Sequence, residues 1–167
     1  GGAAPDVLAA LTKRFATVAE QTTLALGVKT GCDAALVLTP AQAAALPPSL
    51  CRWAVRGRDV ARFRTAPQRQ LLYAYDAVGR PLSRLPQSAM ELLEPHLPAL
   101  ARRRDLRAGP PWTLFRTGQL QFAHRVVWAD IGRTLRAAVL GTPQVDGVAL
   151  NTCYVVVAPN EETAHCL

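Results

Sequence analysis

Prolines and glycines divide this chain into short apolar runs, and this spacing limits what it can fold into. The 167 residues include 13 prolines and 11 glycines, and the pairs at 47–48 and 110–111 end the segments before them. No stretch approaches the roughly 18 consecutive apolar residues of a membrane-spanning helix, and the amino terminus shows no signal-peptide pattern. Since 50% of the residues are hydrophobic, we expect one soluble, cytoplasmic domain with a real core.

The apolar patterns predict short strands and short helices in mixed order. Helices are predicted at 5–15, at 40–46, at 88–104 with a break near Pro95 and Pro98, and after an Asn160 cap. Strands are predicted at 24–28, 35–38, 70–75, 112–116, 125–128, 135–140 and 152–158, the first two joined by a tight glycine turn. This pattern indicates a mixed α/β fold of the α+β class, with a mostly antiparallel sheet and a few flanking helices.

The net charge of +7 is unevenly distributed along the chain. Residues 51–107 contain twelve arginines and five acidic residues, whereas residues 1–50 and 108–167 each sum to zero. Only two lysines accompany 29 alanines, which is typical of GC-rich coding and explains the choice of arginine but not its clustering. A concentrated set of guanidinium groups attracts polyanions. The planar donor fork of each group also suits phosphate oxygens and the major-groove edge of guanine. The clustering therefore predicts contact with nucleic acid.

Motifs for catalysis and metal binding are absent from the sequence. It has no C-x-x-C pair, no glycine-rich nucleotide loop and no G-x-S-x-G elbow. We expect four reduced, structural cysteines, with Cys166 as a buried thiol near a helix end. The segment Gly109–Trp112 resembles the Pro-Pro-aromatic motif of amino-group methyltransferases, but glycine stands where an acid or amide would hold the base. The sequence thus predicts no catalysis, cofactor or metal in this chain, and a buried Trp112.

Seven short motifs occur in order between residues 22 and 160. They are the turn and strand Gly27–Leu38, the Arg-Gly-Arg-Asp segment 56–63, Leu71–Asp76 with Gly79, the basic helix end 100–104, Pro111-Trp112, Arg125–Trp128, and Asn151–Val156. In this order they resemble the target-recognition domain that follows the catalytic domain in TaqI-like adenine-specific DNA methyltransferases and fused type II restriction–modification enzymes.

The resemblance implies a domain that binds duplex DNA and reads base edges. The amino-terminal methyltransferase domain of the same parent protein would bind S-adenosylmethionine and methylate a flipped adenine. Residues 1–21 would then be a helix and linker from that domain, and 22–167 the recognition domain with its carboxy-terminal helix truncated. The predicted DNA contacts are Lys29, Thr30, Arg56, Arg58, Arg62, Arg64 and Arg69, with Arg116 and Arg125 as weaker candidates.

Other interpretations stand beside this one. Each arginine alone is as typical of a solvated surface charge or an ion pair as of a DNA contact. Arg58 with Asp59, or Arg104 with Asp105, would form such pairs. Four aromatic residues are expected in the core rather than in contact with DNA, namely Trp53, Tyr73, Tyr75 and Trp128. A basic module for RNA or for an acidic protein partner is the main alternative function. A free-standing enzyme is disfavoured by the missing motifs.

Overall fold

The computed structural model describes residues 22–141 and 146–167, together with positions 7, 9, 10, 13 and 14. Its β-strands form two four-stranded sheets and one small hairpin. The strands are β1 Leu24–Leu26, β2 Val37–Leu38, β3 Cys51–Val55, β4 Val60–Ala61, β5 Arg64–Thr65, β6 Gln70–Leu72, β7 His124–Ala129, β8 Ala137–Leu140, β9 Val148–Ala149 and β10 Cys153–Ala158. The first sheet has the order β1-β10-β7-β8 and is antiparallel throughout. The second has the order β2-β6-β3-β9, with β3 and β9 parallel.

Short helices accompany the sheets, and proline sets several of their ends. The α-helices are Asp33–Leu36, Pro40–Ala44, Gln87–Leu93, Leu97–Ala101 and Glu161–Cys166. The predicted break in helix 88–104 is confirmed, because a 3-10 turn at Glu94–His96 separates its two halves. Asn160 caps the last helix by accepting a 2.8 Å hydrogen bond from the Thr163 amide. These elements confirm the α+β class.

One hydrophobic cluster joins the two sheets. Val127 and Val155 are paired across β7 and β10 and are fully buried, and Val55 and Ala149 meet them from β3 and β9. Val60 of the β4–β5 hairpin belongs to the same cluster. Because side chains alternate along a strand, Val126 lies on the opposite face, where the helix Glu161–Cys166 covers it. The hairpin is therefore packed into the same core as both sheets.

A second cluster holds the helices against the other sheet. The prediction of a buried Trp112 is confirmed, since it is 6% exposed and its indole N–H donates to the Leu82 carbonyl at 2.9 Å. Tyr73 and Tyr75 are half-buried and stacked, with centroids 4.9 Å apart, and Trp128 stacks on Tyr154. The prediction for Trp53 was wrong: it is 44% exposed, because it lies on the face of β3 opposite buried Ala54.

The predicted hairpin at 24–38 was wrong. β1 pairs with β10, and β2 pairs with β6, so the two segments belong to different sheets. The turn does contain a left-handed glycine, Gly31 at φ +68°. It continues into the helix Asp33–Leu36, because the Cys32 carbonyl accepts from the amides of Ala35 and Leu36.

Two other segments also differ from the predictions. Residues 112–116 form a turn and a single bridge between Phe115 and Lys29 rather than a strand. β3 was not predicted, because Arg52 interrupts its apolar pattern. The predicted helix 5–15 and linker 1–21 lie largely outside the described residues, although the five described positions before residue 22 are helical.

The described residues contain no helix long and apolar enough to cross a membrane and no group of three metal-ligating side chains. Their four cysteines are free thiols. Cys153 is buried, whereas Cys166 is exposed at the end of the last helix, so its predicted burial was wrong. Helix Glu161–Cys166 presents Ala164, not the cysteine, to the sheet.

Replacing Gly27 by alanine is expected to destabilise the fold. A Cβ at this position would overlap the Leu150 carbonyl, while the Gly27 amide must still donate to Cys153 at 2.9 Å. We expect Gly27→Ala to lower the free energy of unfolding by about 2 kcal/mol or more in a urea titration. Gly118→Ala is the matched control, because a Cβ there has no neighbour within 4 Å. Equal stability of the two variants would contradict this packing.

Thiol reactivity is expected to differ between the two carboxy-terminal cysteines. Burial raises the pKa of the Cys153 thiol to about 12, so almost none of it is thiolate at pH 8. Iodoacetamide at that pH should label Cys166 in the native protein and Cys153 only after unfolding. Mass spectrometry of the alkylated peptides measures both rates, and rapid native labelling of Cys153 would show that β10 is not buried as described.

Candidate nucleic-acid interface

The turn at 56–59 orients one arginine inward and the next outward. The Asp59 carboxylate accepts from the Arg56 amide at 2.9 Å and lies 3.3 Å from the Arg56 Nε. Asp59 is 8% exposed, so this ion pair is largely shielded from water. The predicted pairing of Asp59 with Arg58 was therefore wrong, because Arg56 occupies the carboxylate. Arg58 is left exposed.

Gly57 brings this turn against the first sheet. Its amide donates to the Thr152 hydroxyl at 3.0 Å. A Cβ at Gly57 would lie 2.6 Å from the Thr152 carbonyl oxygen and 3.0 Å from the Cβ of Ala129. Only glycine permits this approach, and the approach places Arg58 beside the loop that leaves β7.

The β4–β5 hairpin is held at its base and at its tip. Its strands pair Val60 with Thr65 and Ala61 with Arg64, which leaves Arg62 and Phe63 as the two turn residues. At the base, the Ala66 amide donates to the Asp59 carbonyl at 2.9 Å. At the tip, the Phe63 amide donates to the Ala137 carbonyl at 2.8 Å, where β8 begins. The hairpin therefore lies beside the β7–β8 loop.

An open cavity of about 400 Å³ lies between the turn and the β7–β8 loop. Three of its lining residues are arginines, Arg58, Arg133 and Arg136, and one is acidic, Asp130. Arg62 and Arg64 extend the positive charge along the hairpin. We call the set Arg58, Arg62, Arg64, Arg133 and Arg136 the arginine surface. All five side chains are exposed, and none forms an ion pair with a residue that the structure describes.

Large apolar side chains project from the same region. Phe63 is 80% exposed at the hairpin tip, and Ile131 and Leu135 are 87% and 76% exposed in the β7–β8 loop. The exposed apolar groups among these cations make the region a candidate ligand-binding surface. The arrangement offers both charge for phosphate groups and flat or branched apolar surface for bases.

The structure removes Thr30 and Arg125 from the predicted contact set, because both are buried. Thr30 is 2% exposed, and its hydroxyl donates to Asp33 within the turn. Arg125 is fully buried and donates through Nη2 to the carbonyls of Gly141 and Gly147. Burial lowers the Arg125 pKa to about 10, so the group still carries its charge at neutral pH. Both side chains stabilise loops and cannot reach a ligand.

The other predicted contacts lie apart from the arginine surface. Lys29 forms an ion pair with Asp105, so the expected Arg104–Asp105 pair was wrong. The hydrogen bond from Lys29 is the main cause that lowers the pKa of Asp105, and the nearby charge of Arg116 adds to it. Arg69 is half-buried, and its carbonyl accepts from the Ala54 amide at 3.0 Å. Arg56 is held by Asp59. Of the nine predicted contacts, the surface thus contains Arg58, Arg62 and Arg64.

Arg133 and Arg136 were missed by the sequence reasoning. They lie in the segment 108–167, where four arginines balance four acidic residues, so its net charge gave no signal. The available signal for Arg133 was the predicted pair of strands at 125–128 and 135–140, because connections between strands run over the protein surface. Arg136 lies inside the predicted strand 135–140, so this signal did not extend to it. No family model matches the chain, and no curated protein sequence matches it. Function is therefore inferred from the geometry of the surface itself.

Replacing Asp59 by asparagine is expected to destabilise the turn that presents Arg58. The variant leaves the half-buried Arg56 guanidinium without its counter-charge, at a cost of about 2 kcal/mol in unfolding free energy. Asp130→Asn is the matched control, because Asp130 is exposed and should leave stability unchanged within about 0.5 kcal/mol. Urea unfolding measures both, and an unchanged midpoint for Asp59→Asn would show that the pair does not hold the turn.

Proposed function

We propose that this chain binds duplex DNA through the arginine surface. The observation that carries the proposal is the gathering of five exposed guanidinium groups on the turn, the hairpin and the β7–β8 loop. Three of them line one cavity, and none forms an ion pair with a described residue. Folded proteins usually disperse or pair such charges, because like charges at close range repel. A polyanion relieves that repulsion, and each phosphate contact also releases counterions from the DNA.

The shape of the surface favours a groove of duplex DNA. The β4–β5 hairpin is a two-stranded ribbon, and a ribbon of this width fits the major groove. Arg62 and Arg64 are carried on the ribbon, while Arg133 and Arg136 flank it on the neighbouring loop. Arginines on a ribbon can reach guanine edges as bidentate donors, and arginines at its side can hold phosphates.

The resemblance extends this proposal to a place in a larger enzyme. The chain would be the sequence-reading domain of an adenine-specific DNA methyltransferase or of a fused type II restriction–modification enzyme. It would position the target adenine for a separate domain that holds S-adenosylmethionine. Two of the resembling motifs support this extension, since the 56–63 segment and the Asn151–Val156 segment meet at Gly57 and Thr152 to carry the arginine surface. Methyl transfer by the 167-residue chain alone would contradict this division of labour.

Binding of duplex DNA is expected to depend on salt and on the arginine surface. Fluorescence anisotropy with a labelled duplex, titrated between 50 and 200 mM salt (on the order of the range in which such contacts are screened), measures the affinity. We expect the double variant Arg133→Ala/Arg136→Ala to weaken binding about tenfold or more and to reduce the salt slope by about one for each phosphate that is no longer bound. A base-reading arginine on the hairpin should in addition relax preference at one position by about 1–3 kcal/mol.

The matched control removes the same charge elsewhere. Arg84 and Arg107 are exposed, lie outside the arginine surface and have no ion pair within the described residues, so Arg84→Ala/Arg107→Ala should change affinity by less than about threefold. Equal effects of the two double variants would show non-specific attraction by net charge. Preferential displacement of duplex DNA by structured RNA or by an acidic protein would favour the alternative module. Affinity that is absent at low salt would remove the proposal.

A further inference from the structure

The tip of the β4–β5 hairpin carries a residue that is unfavourable there on two grounds. Phe63 has a φ of +65°, and it is the second of two turn residues, a position where glycine or asparagine is normal. A phenylalanine in this left-handed conformation is strained, because its Cβ crowds the backbone. Its ring is also 80% exposed, so burial of the ring in the folded chain does not compensate for the strain.

The backbone that carries this ring is nevertheless held in a defined position. The Phe63 amide donates to the Ala137 carbonyl at 2.8 Å, which fixes the backbone of the tip against β8. The Arg62 guanidinium carbon lies 5.0 Å from the ring centroid, within range of a cation–π contact. A rigid backbone that presents an aromatic ring to solvent is a feature of surfaces that bind a ligand, and strain of this kind persists where the ligand contact requires it.

We propose that Phe63 inserts at an unstacked base step of the DNA bound to the arginine surface. This inference rests on the proposed function. Arg62 and Arg64 flank Phe63 in the chain, so the tip offers a flat apolar ring between two cations. A base step offers the complement, a flat apolar stack between two phosphates. Proteins that insert an apolar wedge into a duplex partly unstack one step, and the cost is lowest where the step is already weakened.

Charge complementarity favours DNA over an apolar protein pocket as the occupant. A pocket that received Phe63 would also have to accept Arg62 and Arg64 at its rim, and Arg133 and Arg136 beside it. Insertion therefore predicts that Phe63 contributes to discrimination between stacked and unstacked steps, while the arginines supply the salt-dependent affinity.

The test compares two duplexes that differ at one step. One is fully paired, and the other contains a single abasic site at its centre. We expect the native chain to bind the abasic duplex about fivefold more tightly than the paired one. Phe63→Asn should bind both duplexes equally, with an unchanged salt slope, because every arginine remains. Phe63→Tyr, which keeps an aromatic ring, should retain the preference.

A melting measurement and a control variant distinguish loss of the abasic preference from unfolding of the variant. Asparagine tolerates the left-handed conformation, so Phe63→Asn should melt at or above the temperature of the native chain. Val78→Asn is the matched control, because Val78 is 71% exposed at another turn tip and its replacement should leave the abasic preference unchanged. A preference that is missing from the native chain, that survives in Phe63→Asn, or that is lost in Phe63→Tyr, overturns insertion while salt-dependent binding persists. Absence of binding to either duplex overturns the proposed function and this inference together.

Discussion

The close approach of Gly57 to Thr152 determines where Arg58 and the β4–β5 hairpin lie relative to the first sheet. Thr152 immediately precedes β10, which pairs with both β1 and β7 in the first sheet. Because the turn 56–59 packs on Thr152, it is fixed next to β10, a strand that is hydrogen-bonded to a neighbour on each side. The β4–β5 hairpin begins at the next residue, Val60, so the position of its tip depends on the same contact. A side chain at residue 57 would separate the turn from the sheet and move Arg58 and the hairpin together.

Buried polar groups keep the loops of this fold in place. Asp59 binds the amide and guanidinium of Arg56, Thr30 binds Asp33, and Arg125 binds two loop carbonyls from the inner face of β7. Asp59 and Arg125 satisfy backbone amide and carbonyl groups that would be costly to bury alone, whereas Thr30 bonds to the exposed carboxylate of Asp33. These residues belong to the same motifs that suggested contact with DNA. In this structure their hydrogen bonds maintain the scaffold, and the proposed contacts with DNA are assigned to their exposed neighbours.

The sequence predicted elements well where local apolar runs decide the structure, and poorly where distant segments decide it. The predicted strands at 125–128, 135–140 and 152–158 contain the continuous apolar runs 126–129, 137–140 and 153–158, and such runs indicate buried strands. The pairing of β10 with β1, rather than a local hairpin at 24–38, depends on a contact more than 120 residues away along the chain. The same limit applies to the site. Arg58, Arg62 and Arg64 were evident from their clustering, whereas the burial of Arg125 follows from the central place of β7 in its sheet.

The tips that carry the arginine surface contribute little to the core. Arg62 and Phe63 in the hairpin turn, and the exposed residues 130–136 of the β7–β8 loop, belong to none of the buried clusters, while Val60 and Ala138, close by in the chain, are buried in the core. Selection can therefore exchange the outer side chains without repacking the interior. A scaffold organised in this way can acquire new surface side chains by a few substitutions, most of which leave the buried clusters and their contribution to stability unchanged.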